Sequence, residues 1–243
     1  MELPTAARDL FATARGALVR FRDEAGAWNW RRIAAIGAGS ALAATLLLGL
    51  LVRVDLIADE VDGEWMEDIL EIRGPVWESI SRAFDFLGGG WFAVLAIPLA
   101  VAVTFLVLRR PWAALVFVLG SAVSAGLVQV LKRLFGRLRP EDILLEIDSG
   151  SYPSGHTANA ATVAILLALL LVRWWVAAAG AAYVVLMALS RTYLGAHWIT
   201  DTIGGAVLGA AIAVLAWAVF APRLERERLR RQRRPTPIPS ARR

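Results

Sequence analysis

The sequence predicts an all-α, polytopic membrane bundle of six transmembrane helices, with short amphipathic interfacial helices beside them. Three observations carry this expectation. Of the 243 residues, 58% are hydrophobic and the mean hydropathy is +0.57, a composition of the membrane class. The apolar residues are gathered into long runs, each approaching the ~20 residues that a helix needs to cross a bilayer. The arginines between the runs alternate by side.

The runs are 33–52, 91–108, 112–131, 157–172, 174–190 and 202–220. Lipid offers no hydrogen bonds to a backbone, so each run is expected to be helical. Trp28, Trp30, Trp91, Trp112, Trp174, Trp175, Trp198 and Trp217 lie near the ends of the runs, where amphipathic rings prefer to sit. The first run starts at residue 33 and is longer than a signal-peptide core, so a cleaved signal is not expected.

Arg31 and Arg32, Arg109 and Arg110, Arg173 and the tail after residue 220 fall on one side. The positive-inside rule makes that side cytoplasmic. The chain then divides into an amphipathic cytoplasmic segment 1–32, a six-span domain 33–220 and a basic cytoplasmic tail 221–243. In the first segment Leu10, Ala14, Leu18 and Phe21 share a helical face, which suits a helix lying on the membrane surface.

Within the six-span domain, 54–90 is an acidic extracytoplasmic segment. Val61, Trp65, Ile69, Ile72, Val76, Trp77, Ile80 and Phe84 recur there at helical spacing, interrupted by Gly74-Pro75, which predicts two short amphipathic helices. Pro75 suits a helix start and Gly88-Gly89-Gly90 a stop. These helices would pack at the interface or form a lip that guides lipid. Gly205 and Gly209 in the last run suit close helix packing.

The net charge of +5 is concentrated beyond residue 222, where nine arginines face two glutamates. A basic segment directly after a span fixes orientation and touches anionic lipid. No nucleic-acid recognition module accompanies it, so the bilayer, not nucleic acid, is the expected partner. There is no cysteine, which excludes disulfides and thiolate metal sites.

The one lysine, Lys132, and both histidines, His156 and His197, fall in three polar clusters at the ends of apolar runs. The clusters are Lys132 with Arg139-Pro140, then Pro153-Ser154-Gly155-His156, then Ser190-Arg191 with His197 and Asp201. Phosphoryl transfer spreads negative charge over three oxygens and needs fixed cations around them. Lys132, Arg139 and Arg191 supply three, the arginines able to grip two oxygens each. Pro140 disfavours helix at Arg139, which places that residue on a loop. Arg133 and Arg137 are read as rim or interface charges.

Ser154 precedes an apolar helix, where unpaired N–H groups favour an anion. It can cap that helix or bind a phosphate oxygen, and Gly155 permits close backbone approach. His197 and Asp201 are four apart and would share a helical face. The carboxylate would fix the tautomer and leave the other nitrogen free as a nucleophile or base. His156 would protonate the departing oxygen. Glu141, Asp142, Glu146 and Asp148 have no spacing that converges on an ion, so no metal and no cofactor are expected.

Together the clusters resemble the three signature motifs of the type 2 phosphatidic acid phosphatase superfamily, the membrane lipid phosphate phosphatases related to vanadium haloperoxidases. The resemblance covers about 91–220 and implies a helical fold with six spans and a metal-independent hydrolase. It implies that His197 is the nucleophile forming a phosphohistidine, that Asp201 orients it and that His156 is the leaving-group acid. Lys132, Arg139, Ser154, Gly155 and Arg191 would hold phosphate. The expected function is a lipid phosphatase of a bacterial-type plasma membrane, acting on the extracytoplasmic face on phosphatidic acid, phosphatidylglycerophosphate or a polyprenyl diphosphate. A lipid phosphotransferase and a non-catalytic anionic-lipid-binding protein are the alternatives.

Overall fold

A computed structural model describes residues 29–54, 58–146 and 150–232. The surface helix expected before residue 29, Asp148 and the end of the basic tail lie outside the described residues. All regular structure among the described residues is helical: α1 (Asn29–Arg53), α2 (Ala58–Glu71), α3 (Pro75–Gly88), a π-helical turn (Phe92–Ala96) running into α4 (Ile97–Val107), α5 (Pro111–Phe135), α6 (Gly155–Leu171), α7 (Trp174–Tyr193) and α8 (Ile199–Gln232).

Each apolar run has become a helix. Four of them, α1, α5, α7 and α8, are long and apolar enough to cross a membrane unaided. A fifth stretch joins α3 to the π turn and α4 through a bend of 46°. Helix α6 is apolar but has 17 residues, so length and composition alone account for four or five spans rather than six.

The π turn has a local cause. Pro98 lacks the N–H that would bond the carbonyl four residues earlier, and the Ile97 N–H instead reaches back five residues to Phe92, the bulge geometry that tolerates such a gap. Pro222 sits inside α8 in the same way. It leaves the Ala218 carbonyl without its helical donor, and Arg31 Nε of α1 donates there instead at 3.1 Å.

Helix α8 is the spine of the bundle, packed against α1, α5 and α6, while α6 also packs on α7 and α5. Its contact with α6 is close because Gly205 and Gly209 lack side chains. A Cβ at Gly205 would meet the Ser154 carbonyl oxygen, and one at Gly209 that of Ala158. The expected packing role of these glycines therefore holds.

Successive spans run in opposite directions and sort the polar residues to two ends. At one end Arg110 donates to the Leu170 carbonyl at 2.8 Å, and the Arg223 guanidinium lies 4.6 Å from the Trp112 ring centroid. A cleft of about 700 Å³ opens there, lined by Arg109, Arg223, Arg226, Arg230 and Arg231. The last turns of α5 and α7 and the first turns of α6 and α8 meet at the other end, where all three polar clusters lie.

Candidate active site

Lys132 lies in the last turn of α5, which ends where Gly136 adopts a left-handed conformation (φ 55°), a backbone state natural to glycine. The chain leaves the helix there, so Arg139 is on a loop, as Pro140 suggested. Lys132 Nζ donates to the carbonyls of Gly150 and Ser151. Arg139 donates to the carbonyls of Ala196 and Gly150, and its Nη1 stands 3.4 Å from His197 Nε2. The loop before α6 is thereby tied to the loop before α8.

Ser154 is the N-cap of α6, accepting from the Thr157 N–H. Its own N–H donates to the Asp201 carbonyl at 3.0 Å. Gly155 opens the helix beside it, and His156 follows. Arg191, in the last turn of α7, is buried. Its Nη1 donates to a carboxylate, while its Nε and Nη2 reach no hydrogen-bond acceptor among the described residues.

His197 and Asp201 meet, but not on one helical face. His197 precedes α8 and Asp201 stands in its first turn, so the chain folds back at Trp198. Asp201 Oδ2 accepts from the Trp198 N–H at 3.0 Å and lies 3.4 Å from His197 Nδ1. At that distance Nδ1 makes no hydrogen bond among the described residues, and Nε2, on the far side of the ring, faces Arg139. His197 lies between spans and is buried, and its pKa is pushed well below the usual imidazole value. Burial is the larger cause, followed by the charges of Lys132, Arg139, Arg191 and His156. Both disfavour a second proton, so the ring stays neutral, and the Arg139 donor beside Nε2 suits a lone pair on that nitrogen.

Arg137 corrects the sequence reading. It is not a rim charge: Nη1 donates to Asp201 Oδ1 and Nη2 to Asp62 Oδ2, each at 2.6 Å. Asp62, on α2, also accepts from the Thr200 N–H at 3.0 Å and the Thr200 hydroxyl at 2.6 Å. A distant carboxylate thus caps the first turn of α8, where orphan donors and the helix dipole favour negative charge. Arg133, in contrast, is exposed.

Two functional acids escaped notice. Asp62 shares the buried face of α2 with Met66 and Ile69, and Asp85 shares the buried face of α3 with Ser81 and Gly88. Asp85 Oδ1 accepts from Arg191 Nη1 at 2.6 Å and lies 3.1 Å from His156 Nε2. Both acids stand at helical spacing from residues that pack inward, and that was the available signal. A carboxylate on a packed face must find a cation.

The chain is similar to known proteins in sequence and in fold. A family model described as the PAP2 superfamily matches residues 112–225, a range that holds all three clusters. Phosphatidylglycerophosphatase B of Bacillus subtilis is 32% identical over 154 residues, covering 59% of this chain and 75% of the relative. Undecaprenyl-diphosphatase of Sulfolobus acidocaldarius is 36% identical over 107 residues, covering 41% and 51%. The crystal structure of a transmembrane PAP2-type phosphatidylglycerolphosphate phosphatase from Bacillus subtilis superposes with a TM-score of 0.66 at 26% identity, covering 74% of this chain and 96% of that one.

Proposed function

The chain belongs to the PAP2 superfamily, and we propose that it is an integral-membrane phosphatase releasing phosphate from a lipid phosphate or diphosphate through a phosphohistidine on His197. The observation that carries this reading is Arg191. A buried guanidinium whose Nε and Nη2 lack acceptors among the described residues calls for an anion. Lys132, Arg139 and Arg191 all act on the buried His197 imidazole, and Arg139 Nη1 stands 3.4 Å from its Nε2.

In this reading His197 Nε2 attacks phosphorus while Asp201 holds Nδ1. The bond from phosphorus to the ester oxygen breaks, its electron pair goes to that oxygen, and His156 supplies the proton. Water then attacks the phosphohistidine, its proton passes to His156, and the N–P electron pair returns to His197. Lys132, Arg139, Arg191, Ser154 and the Gly155 amide hold the three equatorial oxygens. The cations neutralise the developing charge, so the reaction needs no metal.

All six apolar runs cross the bilayer in this reading. The 17 residues of α6 span roughly 26 Å, slightly less than the ~30 Å hydrocarbon core, which suits a helix whose polar start opens the site. The arginine-rich end faces the cytoplasm with both termini, and the site faces the opposite side, at the depth of a lipid headgroup. The relatives named phosphatidylglycerophosphatase B and undecaprenyl-diphosphatase support this substrate class, a phosphate on a glycerolipid or isoprenoid.

The test is phosphate release from a panel of such lipids by purified protein in detergent with EDTA present. His197→Ala should lower the rate by about 10⁴-fold or more, as loss of a nucleophile does. Full activity in that variant would sink the assignment, and loss of wild-type activity on chelation would sink the metal-free mechanism. A phosphorylated acceptor lipid in place of free phosphate would identify a phosphotransferase. Anionic-lipid binding without turnover would identify a binding protein.

A further inference from the structure

Asp85, like Asp62, is a residue of this site that none of the three signature clusters contains. It comes from α3, and α3 is fixed to the bundle at several points. The Gly74 N–H donates to the Tyr193 hydroxyl at 2.6 Å, Arg82 reaches the Leu144 carbonyl at 3.3 Å, and the rings of Phe84 and Tyr183 lie 6.2 Å apart. At the end of the helix, a Cβ on Gly89 would fall on the His156 ring. His156 therefore packs directly against the α3 terminus, with its Nε2 at 3.1 Å from both the main-chain oxygen and the Oδ1 of Asp85.

We propose that Asp85 is a positioning residue for the leaving-group acid His156, and that its carboxylate makes the site select phosphate monoesters of alcohols over diphosphates. The inference rests on the roles given above to His197 and His156. With Nε2 committed to α3, the nitrogen left for the leaving oxygen is Nδ1, which makes no hydrogen bond among the described residues. An acid must hold its proton until the ester bond breaks. Burial and the neighbouring Arg191 both oppose an imidazolium, and the Asp85 carboxylate is the anion in contact that favours it.

The choice of substrate follows from the leaving group. An alkoxide is a poor leaving group and needs the proton as the P–O bond breaks. A phosphate leaving from a diphosphate departs as a stable anion and does not. A diphosphate would also bring its second phosphate to the His156 side, against the Asp85 carboxylate. Fixed negative charge there disfavours one substrate class and assists the other.

The experiment compares wild type, Asp85→Asn and Asp85→Ala, as full chains in detergent, on a long-chain alkyl phosphate, p-nitrophenyl phosphate and a prenyl diphosphate. Asp85→Asn should lower kcat/KM, which reports formation of the phosphohistidine and not its later hydrolysis through His156, by about 10- to 100-fold on the alkyl phosphate. The aryl phosphate, whose leaving group needs no proton, should stay within about threefold. The diphosphate should hold or improve, so the ratio of kcat/KM for alkyl phosphate to diphosphate falls by at least an order of magnitude. An equal loss on all three would make Asp85 merely structural, and a rise on all three would make it an obstruction; either overturns the proposal. Failure of wild type on every substrate, or full activity in His197→Ala, would overturn the phosphatase reading itself and this inference with it.

Discussion

The two sides of the site are built differently. On the side of the proposed nucleophile His197 lies beside Asp201, Asp201 pairs with Arg137 and Arg137 with Asp62, with side-chain exposures of 3%, 0%, 7% and 1%. On the leaving-group side His156 is 20% and Asp85 33% exposed, and only Arg191 is fully buried. Each side is an imidazole, a carboxylate and an arginine, yet one is sealed into the core and the other faces the mouth. A nucleophile must be held dry and unprotonated, whereas an acid must meet a leaving group that comes and goes. The difference also separates stability from chemistry: disturbing the sealed side should unfold the protein, and disturbing the open side should change which substrates it uses.

The largest expected effect falls on Arg137. Arg137→Gln leaves Asp62 and Asp201 buried without their shared cation. Breaking a buried ion pair in this way costs about 3–5 kcal/mol, and a displaced Asp201 would cost on the order of 100-fold in kcat. Thermal unfolding in detergent and turnover of an aryl phosphate should both report it. In Asp85→Asn the melting temperature should move far less than in Arg137→Gln. If the two variants melt alike, the division into a sealed and an open side is wrong.

Much of this was legible in the sequence, and what was not has a physical reason. Run 91–108 became Phe92–Val107 and run 157–172 became Gly155–Leu171, because the property that drives a helix into lipid is carried by each residue alone. Hydropathy misplaced two helix ends. It stops at Leu131, but α5 continues to Phe135 until Gly136 breaks it. It stops at Phe220, but α8 continues to Gln232 through Arg, Glu and Leu, which are good helix formers in water. The eight sequence-predicted site residues come together at one end of the bundle.

Arg137, Asp62 and Asp85 were hidden because their roles are tertiary. Nothing at position 137 distinguishes a rim arginine from a buried one. What decides is α2, 75 residues away along the chain from Arg137, and no local pattern reports that. The α2 and α3 apolar residues were read correctly as amphipathic, yet Val61, Val76 and Trp77 face outward. The side that carries the acids is the one turned to the site.

A smaller effect tests how the sealed side keeps its nucleophile. His197 faces Lys132 from α5, Arg139 from its loop, Arg191 from α7, His156 from α6 and Asp201 from α8, and its pKa is held well below the usual value by burial and by the four cationic or titratable neighbours. The neutral, attacking form therefore persists as pH falls through 6.5, and the acid limb of kcat/KM due to His197 should lie well below that value. Lys132→Met removes one of these charges and should raise the limb, whatever it does to the height of the profile. A limb that stays in place would mean that Lys132 serves binding alone.

The smallest expected effects come from single methyl groups, and they separate the two sides again. At Gly209 an added Cβ meets the Ala158 carbonyl and lies 3.0 Å from the Ala161 Cβ. Backbone on a packed helix cannot step aside, so Gly209→Ala should cost about 1–3 kcal/mol by forcing α6 and α8 apart. At Gly89 the obstacle is the His156 ring, a side chain with solvent on one side. Gly89→Ala should therefore be absorbed by rotation of that ring, with little change in melting temperature but a several-fold loss on alkyl phosphates and none on aryl phosphates. Both variants are read by the same two assays, melting and the alkyl-to-aryl rate ratio. A fall in melting temperature for Gly89→Ala as large as that for Gly209→Ala would mean that the α3 terminus is part of the core, and that the leaving-group side is as rigidly built as the nucleophile side.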